Sequence, residues 1–182
     1  MAKVYIFLAD GFEEIEGLTV VDLLRRADIE IRMVSITGNE LVRGAHKIQV
    51  MADEVFVEGK YLDGDMLVLP GGMPGTNALM AHDGLRDLLM AYQEADKYVG
   101  AICAAPSVLG MNGMLRGKKA VCFPGFEDKL LGAIPGETST VVDGKIITSK
   151  GMGTAIDFGL KIIAELKDQE TAERLGKGIQ YR

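Results

Sequence analysis

The sequence predicts a doubly wound α/β domain, a mostly parallel sheet with helices on both faces. Two patterns predict it. Short β-branched segments alternate with segments of helical apolar spacing along the chain. The strand-like segments are also apolar at successive positions, as in strands covered on both faces, where one solvated face would leave strict alternation.

Taken in order, Lys3-Val-Tyr-Ile-Phe-Leu-Ala9 reads as a central strand ended by Gly11. Glu13 to Ala27 follows with Ile15, Leu18, Val20, Val21, Leu23 and Leu24 at helical spacing. Glu30 to Ser35 is a second strand, and Leu41 to Val50 a hairpin with Gly44 near its turn. Met66 to Leu69 is a buried strand stopped by Pro70-Gly71-Gly72. Leu85 to Ala95 reads as a helix, Tyr98 to Ile102 as a strand, and Ala105 to Met111 as the start of a helix. Lys119 to Cys122 and Val141 to Ser149 read as strands, the latter turning at Asp143-Gly144. Thr154 to Leu166 is a helix whose N-cap is expected to be Thr154, with Asp157 as its capping-box partner.

The 182 residues suit one domain spanning 1–182, large enough to bury a core without disulfide or metal. Net charge is −6, with no basic stripe, so nucleic-acid binding is not expected. The opening apolar run is too short for a signal-peptide core, and none approaches the roughly 20 apolar residues of a membrane span. Two cysteines in separate apolar stretches make no disulfide framework. A cytoplasmic protein that binds no membrane is expected.

Three motifs fall at carboxyl ends of strands, the ligand-binding edge of open α/β sheets. In Gly100-Ala-Ile-Cys-Ala-Ala-Pro106 an apolar strand runs into Cys103 and small residues follow, as on a tight strand-to-helix turn. Helix N-terminal amides there favour a thiolate, so a lowered Cys103 pKa is expected; the alternative is an inert core cysteine. In Leu69-Pro-Gly-Gly72, Gly71 and Gly72 let backbone amides face a ligand, or form an ordinary turn. In Gly11-Phe-Glu-Glu-Ile-Glu-Gly17, Glu13 and Glu14 suit the positive end of a helix. Glu16 shares the apolar side with Val20, Leu23 and Leu24, where a carboxyl group must be protonated or paired, so it is an acid/base candidate.

His46 and His82 lack metal-ligand spacing, and His82 reads as a surface residue. The run from Ser149 to Thr154 offers amides for an anion at a helix start. Arg25 or Arg26 is expected to point toward the site edge.

Together, Gly11 to Glu16, Val21-Asp-Leu-Leu-Arg-Arg-Ala27, Val68 to Gly72, Ala101 to Pro106 and Thr148 to Ala155 resemble the ThiJ/PfpI superfamily, in the branch of the Parkinson-disease protein deglycase and its bacterial relatives. The resemblance implies a flavodoxin-like, class I glutamine-amidotransferase-like sandwich and a homodimer without cofactor or metal. It makes Cys103 the nucleophilic, oxidation-sensitive cysteine and Glu16 the carboxyl bonded to its sulfur. It puts the amides of Gly72 and Ala104 in an oxyanion pocket, and His46 where some relatives carry an arginine toward the partner subunit. It implies glyoxalase III or deglycase activity on methylglyoxal-type dicarbonyls or their early adducts. The alternative is an oxidative-stress sensor or redox-regulated chaperone using the same thiol. Phe123-Pro124 replaces a histidine–proline pair of some members, and Cys103 is not followed by histidine, so peptidase activity is not expected.

Overall fold

The computed structural model describes residues 2–181; Met1 and Arg182, the ends of the expected 1–182 domain, lie outside the described residues. Its strands are β1 (Lys3–Leu8), β2 (Glu30–Ser35), β3 (Leu41–Arg43), β4 (Gln49–Met51), β5 (Glu54–Val55), β6 (Met66–Leu69), β7 (Tyr98–Ile102), β8 (Lys119–Ala120), β9 (Ile134–Pro135), β10 (Thr140–Asp143) and β11 (Ile146–Ser149). The helices are α1 (Glu14–Arg26), α2 (Gly75–Ala81), α3 (Asp83–Glu94), α4 (Pro106–Met111), α5 (Ala155–Leu166) and α6 (Gln169–Gly178).

The main sheet runs β10-β11-β7-β6-β1-β2-β5, parallel except for the β10–β11 hairpin. This is the flavodoxin-like, doubly wound fold. Side-chain alternation along β1 explains its central place. Val4, Ile6 and Leu8 enter one core with Val20 and Leu24 of α1 and Phe158 and Ile162 of α5. Tyr5 and Phe7 enter the other with Leu89 and Tyr92 of α3 and Val108 of α4. Period two on a strand covered on both faces gives an unbroken apolar run. On the first face α1 crosses α5 closely because Gly159 has no Cβ; one would stand 2.6 Å from Leu23 Cδ1.

From β1 the chain goes outward through β2, then returns to β6 on the other side of β1. Reversal of winding leaves a crevice at the carboxyl ends of β1 and β6, where ligands bind in such sheets.

Four local expectations are corrected. The strand expected from Lys119 to Cys122 stops at Ala120 and pairs with β9 in a separate small sheet, because Val121 N–H turns to Thr148 Oγ1. Thr154 stands at the N-cap of α5 without capping it, since its hydroxyl is engaged with Gly151 and Ser149. Asp157, its expected partner, instead accepts from Ser139 Oγ. His82 is partly buried: its ring accepts from Leu85 N–H, capping α3, and packs edge-on to Phe56 at 4.5 Å. Finally, α2 and α6 are additional helices. The first emerges from a Gly- and Pro-rich turn, and the second is largely polar with Asp168 as N-cap.

Candidate active site

Cys103 follows directly on β7 with φ +65°, left-handed for a residue with a Cβ. That conformation costs about 1–3 kcal/mol and persists only where surroundings hold it. Here Cys103 N–H donates to Ser149 O at 2.9 Å, and Cys103 O accepts from Phe123 N–H at 2.8 Å. Ala104 and Ala105 are small enough to lie buried at the turn, and Pro106 opens α4 with its φ already helical.

Glu16 comes from the first turn of α1 and is 1% exposed. Its Oε2 accepts from Gly71 N–H at 2.9 Å, and its carboxyl is hydrogen-bonded to the Cys103 thiol. Gly71 is required by contact: a Cβ would lie 2.6 Å from both Cys103 Cβ and Glu16 Oε2. Gly72, at φ +89°, and Ala104 each donate a backbone N–H to the sulfur. The structure thus gathers Cys103, Glu16, Gly71, Gly72 and Ala104 at one crevice.

Burial, partly offset by bonds to Cys103 and the Gly71 amide, lifts Glu16 to about 7. Cys103 goes the opposite way from the sequence expectation. Burial first, then the charge and bond of Glu16, push the thiol up to about 12, and the amides of Ala104 and Gly72 pull it back only in part. The amides favour a thiolate, but burying a second negative charge beside Glu16 costs more than they return. The two groups share one charge comfortably and resist two, so they titrate as a pair. Cys122 is buried and its thiol is raised to about 11, chiefly by burial.

His46 and Arg26 lie apart from the thiol, on a groove beside α1 that also includes Ile15, Ile48 and Met152. Arg26 is held by Asp22 at 2.6 Å, one helical turn back, so it is turned along α1 and away from the crevice. His46 Nδ1 is 3.0 Å from Glu14 Oε2 and 3.6 Å from Glu13 Oε2. The bond to Glu14, then the charges of both, raise its pKa, which favours imidazolium over the neutral ring. Folding therefore makes a His–carboxylate cluster that sequence spacing does not reveal, with one ligand atom from each residue within 4.8 Å.

Sequence reasoning also missed the part played by Glu14. It is 3% exposed, and its Oε1 accepts from the N–H groups of His46 and Ile48. This ties the β3–β4 turn to the start of α1. The available signal was Gly44, because any Cβ there would meet the Glu14 side chain. Conversely, the amides after Ser149 are not free for an anion: Lys150 N–H goes to Ser139 O and Gly151 N–H to Thr154 Oγ1.

Fold and site define a class: a flavodoxin-like α/β protein carrying a cysteine on a left-handed strand-to-helix turn, beside a buried carboxyl group. This chain belongs to the DJ-1/PfpI family, whose sequence model matches residues 2–165. It is 35% identical over 176 residues to protein dj-1beta of Drosophila melanogaster, covering 96% of this chain and 94% of that one. It is 30% identical over 169 residues to a Caenorhabditis elegans protein named glutathione-independent glyoxalase DJR-1.2, covering 92% and 89%. The solved structure of oxidized Toxoplasma gondii DJ-1 superposes with a TM-score of 0.94 at 36% identity, covering 99% and 98% of the two chains. No helix among the described residues is long and apolar enough to cross a membrane.

Proposed function

We propose that this protein is a cysteine-dependent, cofactor-independent glyoxalase III or deglycase acting on methylglyoxal-type dicarbonyls or their early adducts. The observation that carries the reading is Glu16, 1% exposed, bonded to the Cys103 thiol and poised near pH 7. A carboxyl group so tuned exists in both forms at neutral pH and can give and take protons in one cycle. The glyoxalase name of the Caenorhabditis elegans relative supports the reading.

In this mechanism ionised Glu16 takes the thiol proton, and the thiolate adds to the aldehyde carbon of methylglyoxal. The amides of Gly72 and Ala104 receive the developing alkoxide, which Glu16 protonates to a hemithioacetal. The carboxylate then removes the C1 proton and passes it to the C2 oxygen, giving an enediol, and the proton of the C1 hydroxyl moves by way of Glu16 to C2 as the C1 carbonyl forms. The product is a lactate thioester. Water cleaves it, releasing lactate and the thiol, so one methylglyoxal and one water give one lactate without external oxidant or reductant. The test is lactate formation by purified, chelator-treated protein without glutathione. Turnover proportional to enzyme is expected; none above the buffer rate would defeat the proposal. That null result would favour the sensor reading, in which peroxide oxidises the half-buried thiol through sulfenate to sulfinate with loss of water at each step.

The proposal includes a homodimer, acting in the cytoplasm. Ile15, Ile48 and Met152 are each at least 51% exposed along one groove beside α1, an apolar face suited to a second copy. Light scattering at micromolar concentration is expected to give the mass of two chains, and the mass of one would refute the dimer.

A further inference from the structure

An imidazole and two carboxylates meet where the turn between β3 and β4 lies against the start of α1. His46 Nδ1 is 3.0 Å from Glu14 Oε2 and 3.6 Å from Glu13 Oε2, and one donor atom from each of the three falls within 4.8 Å of the others. Bonds outside the trio fix the two segments on each other. Gly11 N–H donates to Arg43 O at 2.7 Å, Ala45 N–H to Phe12 O at 2.8 Å, and Glu13 N–H to Gly71 O at 2.9 Å. Charge is not balanced there. The Glu14 side chain is 4% exposed and that of Glu13 15%, yet among the described residues His46 is the only basic group in ion-pair reach of either. Carboxylates so far removed from water need cationic partners, and one imidazolium cancels half of their joint charge.

We propose that Glu13, Glu14 and His46 bind one divalent transition-metal ion of the Zn²⁺ class, which clamps the β3–β4 turn to α1. The ion takes no part in the reaction proposed at Cys103. The spans fit such an ion. With metal–ligand bonds of about 2.0–2.2 Å, the 3.0 Å and 3.6 Å spans subtend roughly 90° and 120° at the metal, either side of the tetrahedral angle. The Glu13–Glu14 span closes by rotation of the Glu13 carboxyl group about its terminal torsion, which is soft. Glu14 Oε1 is taken up by the N–H groups of His46 and Ile48, which aims Oε2 at the ring. A dication cancels both carboxylates, and any proton on Nδ1 leaves to solvent as it binds. The imidazole donor selects against Mg²⁺ and Ca²⁺, which prefer oxygen alone. The His46 side chain is 67% exposed, so the ion can enter from the groove, and water fills the fourth position.

Zinc binding to chelator-treated protein, read by calorimetry, provides the test. Cys103→Ala is the reference, because a thiolate also attracts zinc. One Zn²⁺ per chain is expected, with a rise in melting temperature. In that background His46→Ala and Glu13→Gln are each expected to weaken binding by at least roughly tenfold and to abolish the rise. Both keep Glu14, which receives the backbone N–H groups of the turn, so their circular dichroism should match the reference. Co²⁺ reads the same site with the thiol in place. In the parent a ligand-field spectrum without a sulfur charge-transfer band is expected, and it should be lost in His46→Ala. No zinc bound by Cys103→Ala, full affinity in either further variant, displacement of zinc by excess Mg²⁺, or a parent cobalt spectrum indifferent to His46→Ala would each overturn the proposal. These readouts are binding and melting, so they decide the metal site whether or not the protein turns over methylglyoxal.

Discussion

Cys103→Ala is expected to lose at least roughly 10³-fold in lactate formation while keeping its fold, as removal of a nucleophile generally does. The substitution keeps the Cβ that faces Gly71 and asks no new backbone conformation of the turn, since alanine at φ +65° is strained to the same degree as cysteine. Far-UV circular dichroism should therefore match the parent. Cys122 remains as an internal control. It is 6% exposed with a raised pKa, so the variant should take up almost no iodoacetamide until unfolded. Parent-like turnover by Cys103→Ala would remove the thiol from the reaction altogether.

Glu16→Gln is expected to lose turnover on the same scale, because an amide fills the space but cannot shuttle a proton. It should nonetheless be the more stable protein above neutrality. The folded-state pKa of Glu16 rises from an ordinary 4.5 to about 7. Its favourable contribution is thus fully present below pH 4.5 and disappears as pH climbs through 7, where burying the carboxylate costs up to roughly 3 kcal/mol. Glutamine is never charged, so its melting temperature should exceed the parent's at pH 8, with the gap closing toward pH 4.5. The alkylation rate of Cys103 gives a second readout. In the parent it should rise through about pH 7 and then level off, because the pair holds a single charge until far higher pH. In Glu16→Gln and Glu16→Leu the thiol titrates alone and the plateau vanishes. The Leu variant should need the higher pH, having no group to donate to the thiolate. A plateau surviving in Glu16→Leu, or melting curves whose gap widens toward acid, would contradict this account.

The sequence disclosed most where chemistry and periodicity coincide. β1, β6 and β7 are legible because both their faces are apolar, and Cys103 because a strand can run straight into small residues only at a tight turn. Glu16 is legible by its position on the buried side of an amphipathic helix. α2 and α6 are not, since one begins amid Gly and Pro and the other owes its place to packing on α5 by few apolar residues. The contacts of Glu14 depend on a hairpin 32 residues further on folding back over α1. The sign of the Cys103 shift was missed for a similar reason. Neighbours in sequence show which amides are near, whereas burial depends on segments brought in from elsewhere.

The bond from Cys103 N–H to Ser149 O has a consequence for how the chain matures. The pocket draws Glu16, Gly71 and Cys103 from the first two thirds of the sequence, but the sulfur's backbone is pinned by the end of β11. During synthesis from the N-terminus the thiol emerges well before the strand that fixes its conformation. A nascent chain exposing Cys103 therefore carries an ordinary cysteine, without its paired carboxyl group or strained backbone. The joint titration of thiol and carboxyl group therefore begins only when the sheet closes.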